Sequence, residues 1–286
     1  MAFARLAAVA ALCLGVMTLA SAANAAAQMR IVSLAPSATE ILFALGAGPE
    51  VVGVSQYCDY PPQVRDLPRV GSFLTPNLEA IIALRPTLVV GLELSSDVRE
   101  IRALNSMGYP VLLISDDSLQ QIEASIEKVG ARIDRQDDAH RLVAQIRTQI
   151  AAVQERLANA KPIRALMLVG HQPIVAVGPG TYLDELMRIA RADNIVDAVG
   201  EQWPHLSMEF IIATRPEVIL DGAMGTDTRS SNEFWEKYPT IPAVRDRRVY
   251  GYAEDPMLHA GPRVGQSLEI IARKIHPEAW ARGAEK

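Results

Sequence analysis

Aromatic side chains stand in loops between predicted strands and helices, where they could bind a ligand by stacking. Tyr57 and Tyr60 follow one predicted strand, Phe73 precedes a predicted helix, and Trp203 precedes another. Because aromatic residues make up only 5% of the chain, their presence in these loops predicts a binding surface for a large, flat, apolar ligand. The structural alternative is that each ring fills the core of the fold.

Asp255 and His259 offer polar groups from a further loop near the end of the chain. They lie in the run Asp-Pro-Met-Leu-His, and either side chain could contact a ligand. The alternative is that these residues only form a turn.

No motif for catalysis or for metal binding accompanies these residues. The sequence has no Gly-x-Ser-x-Gly elbow, no phosphate-binding loop and no His-Glu-x-x-His pair, and its five histidines have no metal-ligand spacing. We therefore expect no catalytic residue, no metal site and no resident cofactor. A secreted α/β enzyme whose triad is assembled in space is the contrasting alternative.

The first residues have the pattern of an export signal. Arg5 precedes an apolar run over 6–20, and small residues over 20–25 offer cleavage sites. The run is short for a membrane span, which needs about 20 apolar residues. We therefore predict a signal peptide over 1–25 and a periplasmic location.

Charge and cysteine content narrow the possible partners. The formal net charge of −5 disfavours nucleic acid, which binds to basic surfaces. Cys58 is the one cysteine beyond the predicted signal, so no intramolecular disulfide is expected. We expect a monomer.

The rest of the chain alternates β-branched runs with helical patterns, which predicts an α/β fold with mostly parallel sheets. Strands are predicted at 31–34, 51–54, 88–90, 111–114, 165–169, 218–220 and 249–252. Helices are predicted over 37–46, from 75–76 to 85–86, over 182–192 and over 262–275. Ser37 and Glu40 have the spacing of a capping box at the start of the first helix.

A long helix is predicted over 137–160, halfway along the chain. This stretch has no Gly or Pro, and its apolar residues fall at spacings of three and four. The helix would join two Rossmann-like lobes, an N-terminal one over 28–136 and a C-terminal one over 161–286. An ordinary long helix inside one domain is the alternative.

An internal repeat supports the arrangement in two lobes. Residues 77–91 align without gaps on 207–221, which pairs Glu79 with Glu209 and Arg85-Pro86 with Arg215-Pro216. Ligands of open α/β sheets bind at the carboxyl ends of the strands. Two similar lobes that face each other at those ends would form a binding cleft between them.

Several motifs carry a more specific resemblance, and they extend over the whole chain after the predicted signal. The motifs are Arg30-Ile-Val-Ser-Leu-Ala-Pro-Ser-Ala-Thr-Glu, Gly53-Val-Ser-Gln-Tyr-Cys-Asp-Tyr-Pro-Pro, Asn77-Leu-Glu and Gly261-Pro-Arg. With them the chain resembles the periplasmic binding proteins of cobalamin, haem and ferric-siderophore importers. The Tyr-x-Asp-Tyr-Pro-Pro loop and the Trp-Pro before the second repeat are most similar to the cobalamin-binding members. The resemblance implies capture of a corrinoid between the lobes and its delivery to an ABC importer.

The resemblance also implies which residues bind the ligand. Contacts to the corrin ring would come from Tyr57, Phe73 and Trp203, while Pro36 and Ser37 would flank the ligand. Asp255 and His259 would contact its polar edge. Leu92 and Phe73 stand where the cobalamin carrier has tryptophans, and His259 where it has an arginine. These departures leave haem or a ferric siderophore as the alternative ligand, with Tyr57 or His259 available to an iron.

The matched glutamates of the repeat have an implied role of their own. In the resembling family, one acid per lobe binds arginines on the two permease subunits, and Glu79 and Glu209 match these positions. The alternative is that each carboxylate only complements the N-terminus of its helix.

Overall fold

The computed structural model describes residues 29–222, 228–252 and 256–281. The predicted signal peptide and Asp255 lie outside the described residues. None of the described helices combines the length and the apolar composition that a bilayer span requires.

The N-terminal sheet is built from short, buried runs of valine, isoleucine and leucine. Its strands are β1 (Ile31–Ser33), β2 (Val51–Val54), β3 (Leu88–Leu92) and β4 (Val111–Ile114). They are parallel and lie in the order β2-β1-β3-β4. The helices that go with this sheet are α1 (Pro36–Ala44), α2 (Leu78–Ala83), α3 (Arg99–Ser106) and α4 (Leu119–Arg132). Together these elements are the N-terminal lobe.

The C-terminal lobe has a second sheet of the same kind. Its strands are β5 (Ile163–His171), β6 (Ile174–Ala176), β7 (Ala192–Asn194), β8 (Val218–Asp221) and β9 (Val249–Gly251). All the pairings are parallel except that of β6 with β5. The accompanying helices are α6 (Tyr182–Ile189), α7 (Met208–Thr214), α8 (Thr228–Trp235), α9 (Pro242–Arg245), α10 (Val264–Ile275) and α11 (Glu278–Ala281).

The two sheets repeat one topology, as the sequence repeat predicts. The order β2-β1-β3-β4 of the first sheet matches β7-β5-β8-β9 of the second. In both copies the helix before the third of these strands in chain order is followed by an arginine with left-handed backbone, Arg85 (φ 48°) or Arg215 (φ 53°), and then by proline. The repeat is therefore structural as well as sequential.

The predicted long helix is α5, which covers Gln136–Arg156. It ends four residues before the predicted end. The chain there forms turns, in which the amides of Ala158 and Ala160 each donate to the carbonyl three residues back. Pro162 also disfavours helical backbone at the residue before it. The helix packs on α4 of the N-terminal lobe and on α10 of the C-terminal lobe.

Three local predictions about helix boundaries are wrong. The first repeat helix begins at Leu78 and not at Thr75-Pro76, because the Asn77 side chain caps it by accepting from the Ala80 amide. Helix α1 begins at Pro36 without a side-chain cap, so Ser37 and Glu40 form no capping box. The helix predicted over 182–192 ends at Ile189, and its last predicted residues enter β7.

Candidate ligand-binding cleft

A cavity of about 420 Å³ lies between the lobes at the carboxyl ends of their strands. The side chains that line it come from both lobes, and they include Pro36, Ser37, Phe73, Leu92, Asp116, Asp117, Val169, Thr181, Tyr182, Gln202, Trp203 and His259. Its walls are more apolar than polar. This volume is within the range of small-molecule sites, about 300–1,000 Å³. A larger surface depression of about 580 Å³ lies beside α4 and α6, but long polar side chains such as Gln154 and Arg188 line it, with no aromatic ring.

Six of the predicted ligand-binding residues line this cavity. They are Pro36, Ser37, Phe73, Leu92, Trp203 and His259. Tyr57 is adjacent, with its ring centroid 6.3 Å from that of Phe73, and its side chain is exposed. Their contacts with a ligand stay a prediction.

The loop that carries Trp203 is held against the second lobe by backbone hydrogen bonds. The Gly178 amide donates to the Gln202 carbonyl and the Ala176 amide to the Pro204 carbonyl. A side chain at Gly178 would meet the Glu201 carbonyl oxygen at 1.9 Å, so only glycine allows the two segments to approach this closely. Trp203 itself is 45% exposed, because the loop presents its ring to the cleft instead of burying it.

A buried ionic cluster joins the lobes beside the cavity. Glu40 of α1, which is 2% exposed, accepts two hydrogen bonds from the Arg263 guanidinium at 2.6 and 2.7 Å. It accepts a third from His259 Nδ1 at 2.9 Å. The Arg263 guanidinium also lies 3.8 Å from the centroid of the Tyr60 ring. These contacts connect residues of the first lobe to the segment that leads into α10.

The pKa of Glu40 follows from this pairing. Burial disfavours the carboxylate, but the hydrogen bonds and charges of Arg263 and His259 outweigh burial and hold the pKa below its ordinary value. Glu40 is therefore ionised and only accepts hydrogen bonds. His259 must donate through Nδ1, and in the neutral ring its Nε2 is then an acceptor.

This cluster was not predicted from the sequence. The spacing of Ser37 and Glu40 indicated a capping box instead, and 223 positions separate Glu40 from Arg263. The available signal was Gly261-Pro-Arg, which the resemblance includes without a role for its arginine.

A second carboxylate beside the cavity has no such basic partner. Asp116 follows the end of β4, is half-buried and lines the cleft together with the exposed Asp117. Burial raises the pKa of Asp116; the Ser37 hydroxyl beside it opposes the shift and the Asp117 charge adds to it. Sequence reasoning missed both residues, although two acids after a buried strand were a usable signal.

A Ser–His–Asp group occurs in the second lobe, but its geometry differs from that of a nucleophilic triad. His171 Nε2 lies 2.8 Å from both carboxylate oxygens of Asp221. The Ser231 hydroxyl donates to Asp221 at 2.6 Å, as does the Trp235 indole at 2.9 Å. Ser231 is fully buried and its hydroxyl donates to the acid, whereas in a triad the serine hydroxyl is hydrogen-bonded to the histidine.

The described residues contain no cluster of three or more His, Cys, Asp or Glu side chains able to hold a metal ion. Cys58 is buried within hydrogen-bond distance of the Thr39 hydroxyl, and burial raises the pKa of its thiol. Its position matches that of a packed core residue.

Comparison with known proteins places the chain in a family. The model of the Periplasmic binding protein family matches residues 31–256. The vitamin B12-binding protein of Pectobacterium atrosepticum is 28% identical over 251 residues, which are 86% of this chain and 88% of that protein.

Solved structures agree on the fold. The periplasmic heme-binding protein RhuT of Roseiflexus sp. RS-1 is 31% identical with a TM-score of 0.79, covering 88% of this chain and 99% of that one. The periplasmic vitamin B12 binding protein BtuF of Vibrio cholerae is 26% identical with a TM-score of 0.76, covering 88% and 97%. The relatives bind ligands and are not enzymes. The chain belongs to the periplasmic binding protein family, in the group whose members bind vitamin B12 or haem.

Proposed function

We propose that this protein captures a corrinoid in the cleft between its lobes and delivers it to an ABC importer in the inner membrane. The observation that carries the proposal is that Phe73 of one lobe and Trp203 of the other line the same cavity. Rings on opposing walls suit a large, flat ligand. The vitamin B12-binding relatives support the choice of ligand, and the predicted signal peptide supports export to the periplasm.

Delivery would use the two matched glutamates. Glu79 and Glu209 are both exposed and both occupy the second position of their helices, α2 and α7. The backbone amide and the Ser207 hydroxyl lower the pKa of Glu209, as expected for an acid at a helix N-terminus. That role does not require the same acid at the same position in both lobes. Arginines on two related permease subunits would require it.

Haem is the second candidate because of one geometric feature. A histidine that ligates a metal commonly donates its other ring nitrogen to a carboxylate, and His259 donates to Glu40 in this way. Its Nε2, in the neutral ring, would be free to bind an iron. The haem-binding relative at 31% identity points the same way.

The test is a parallel titration of the exported protein with cyanocobalamin, haemin and a ferric siderophore. The proposal expects one corrinoid per chain, retained through gel filtration with its red absorption. Stoichiometric haemin with a shifted Soret band and no corrinoid would overturn it in favour of haem. A His259→Ala variant that loses the shifted band would then identify the iron ligand.

Trp203→Ala tests the stacking contact. We expect affinity for cyanocobalamin to fall by about 30-fold, which corresponds to roughly 2 kcal/mol. Trp280→Ala is the matched control, because Trp280 lies between Arg156 and Arg273, each 5.1 Å from its ring centroid, and does not line the cleft. Unchanged affinity in a folded Trp203→Ala protein would rule out the stacking role.

Charge reversal tests docking. The Glu79→Arg, Glu209→Arg double variant should keep its affinity for the ligand and lose transport, because like charges would then meet across the interface. Arginine at the half-buried Glu100 and the exposed Glu236 provides a control of equal charge change. Full import by the Glu79/Glu209 double variant would reject the assignment.

A further inference from the structure

Two acids stand on one wall of the cleft in the loop between β4 and α4. Asp116 is half-buried, and the adjacent Asp117 is exposed. Both line the cavity. The Ser37 hydroxyl is buried beside Asp116 and is near enough to lower the pKa of Asp116. Its geometry is not that of a hydrogen bond, so Ser37 Oγ has no hydrogen-bond partner among the described residues. A buried polar group without a partner at a cavity wall indicates a place for a ligand group.

Four other polar side chains at the cavity already donate a hydrogen bond within the protein. The Thr181 hydroxyl donates to the Gly178 carbonyl, and the Tyr182 hydroxyl donates to the Met257 carbonyl at 2.6 Å. The Gln202 amide donates to the Gly180 carbonyl. His259 donates through Nδ1 to Glu40. The groups left for a ligand include two carboxylates, and the side-chain donors left are few: the Ser37 hydroxyl, the second Gln202 N–H and the Trp203 indole N–H.

Basic side chains are missing from the same wall. None of the lining residues that the structure describes is lysine or arginine. The nearby Arg263 guanidinium is committed to Glu40. The two internal stretches outside the described ranges, 223–227 and 253–255, contain no lysine or arginine in their sequence.

These observations define the chemistry of a ligand edge that fits. A carboxylate on the ligand would meet negative charge and few donors, and it would lose its hydration without replacement. A primary amide would instead donate N–H to the aspartates and could accept from Ser37.

We propose that Asp116 and Asp117 form a specificity filter that binds ligands with neutral carboxamide edges and rejects ligands with carboxylate edges. The choice of a corrinoid as the amide-bearing ligand rests on the proposed function, because a corrinoid carries peripheral carboxamides where haem carries propionates. The filter itself follows from the charges at the wall.

The decisive probe changes one group of the ligand. Cyanocobalamin is compared with its monocarboxylic acids, in each of which one peripheral carboxamide has been hydrolysed. For at least one isomer we expect the wild-type protein to prefer the amide by about tenfold or more. In the Asp116→Asn, Asp117→Asn double variant this preference should shrink to about threefold or less. Asp138→Asn is the control, because Asp138 is half-buried on α5, pairs with Arg141 and lies outside the cleft.

A second pair of ligands keeps the test valid if the protein takes haem. Haemin carries two carboxylates, and its dimethyl ester carries none. If Asp116 and Asp117 act as the proposed filter, the wild-type protein should bind the ester about tenfold more tightly than haemin. The double variant should lose this difference. Haem binding with a preference for the ester would reject the proposed corrinoid function but would support the proposed role of Asp116 and Asp117. Equal or tighter binding of the carboxylate forms by the wild-type protein, or an unchanged ratio in a folded double variant, would overturn the filter.

Discussion

Glu40 and Asp116 are two carboxylates of the same lobe, beside the same cavity, in opposite electrostatic situations. Glu40 is more deeply buried, yet Arg263 and His259 hold its pKa below the ordinary value. Asp116 has the Ser37 hydroxyl, a backbone amide and the Asp117 carboxylate beside it, and burial raises its pKa. The difference separates two uses of a buried acid: a neutralised carboxylate fixes the position of two lobes, and an unneutralised one leaves its charge for a ligand.

The largest expected effect comes from removing the partner of Glu40. Arg263→Met would leave a buried carboxylate with one weaker partner, and we expect the free energy of unfolding to fall by about 3 kcal/mol. Urea unfolding measures this. Adding Glu40→Gln should restore part of the loss, because the buried charge is then gone. A loss under about 1 kcal/mol in the single variant would show that the pair contributes little.

Lowering the pH should reduce the free energy of unfolding, by less than the Arg263→Met change does. Because the pKa of Glu40 is depressed in the folded state, its stabilising contribution is present above the ordinary value of 4.5 and is lost as the pH falls through the folded-state pKa. We expect the wild-type protein to lose more stability than Glu40→Gln between pH 5 and pH 3. Parallel curves for the two proteins would contradict the assigned shift.

Neutralising Asp116 should change the free energy of unfolding in the opposite direction and stabilise the protein. With a raised pKa, the folded state disfavours the charged form, so Asp116→Asn should increase the free energy of unfolding at pH 7, by about 0.5 kcal/mol. Glu40→Gln should decrease it under the same conditions. If Asp116→Asn destabilises the protein instead, the carboxylate mainly supports the start of α4, whose cap is Ser118.

The smallest expected effect is a change of shape. Helix α5 and the Glu40–Arg263 pair both connect the lobes, so we expect lobe movement of a few ångströms at most on ligand binding. Scattering profiles of the free and loaded protein should nearly superimpose. A clear drop in the radius of gyration on loading would show that the cleft closes widely.

Much of the fold was predictable because local sequence patterns indicate it. The β-branched runs predicted most of the strands of both sheets, and the aligned segments 77–91 and 207–221 predicted two copies of one topology. The apolar stripe predicted α5. The antiparallel strand β6 and the short β7 were missed, because each is only three residues long and depends on pairing with β5.

The site was less predictable, because its electrostatics depend on tertiary contacts. Loop aromatics such as Trp203 were detectable from composition and position. The pairing of Glu40 with Arg263 joins residues from opposite ends of the chain, and no local spacing specifies it. The lack of a basic partner for Asp116 depends on which side chains lie near it in the folded protein, and no local sequence pattern specifies that.

Helix α5 also bears on how fast ligands exchange. If loading leaves the lobes where they are, no closing step precedes tight binding, and association is limited by diffusion and orientation alone. Differences in affinity between ligands would then lie in their residence times. Under the proposed function, the protein would then not release its ligand by reopening. Contact with the importer, at the two matched glutamates, would have to shorten the residence time.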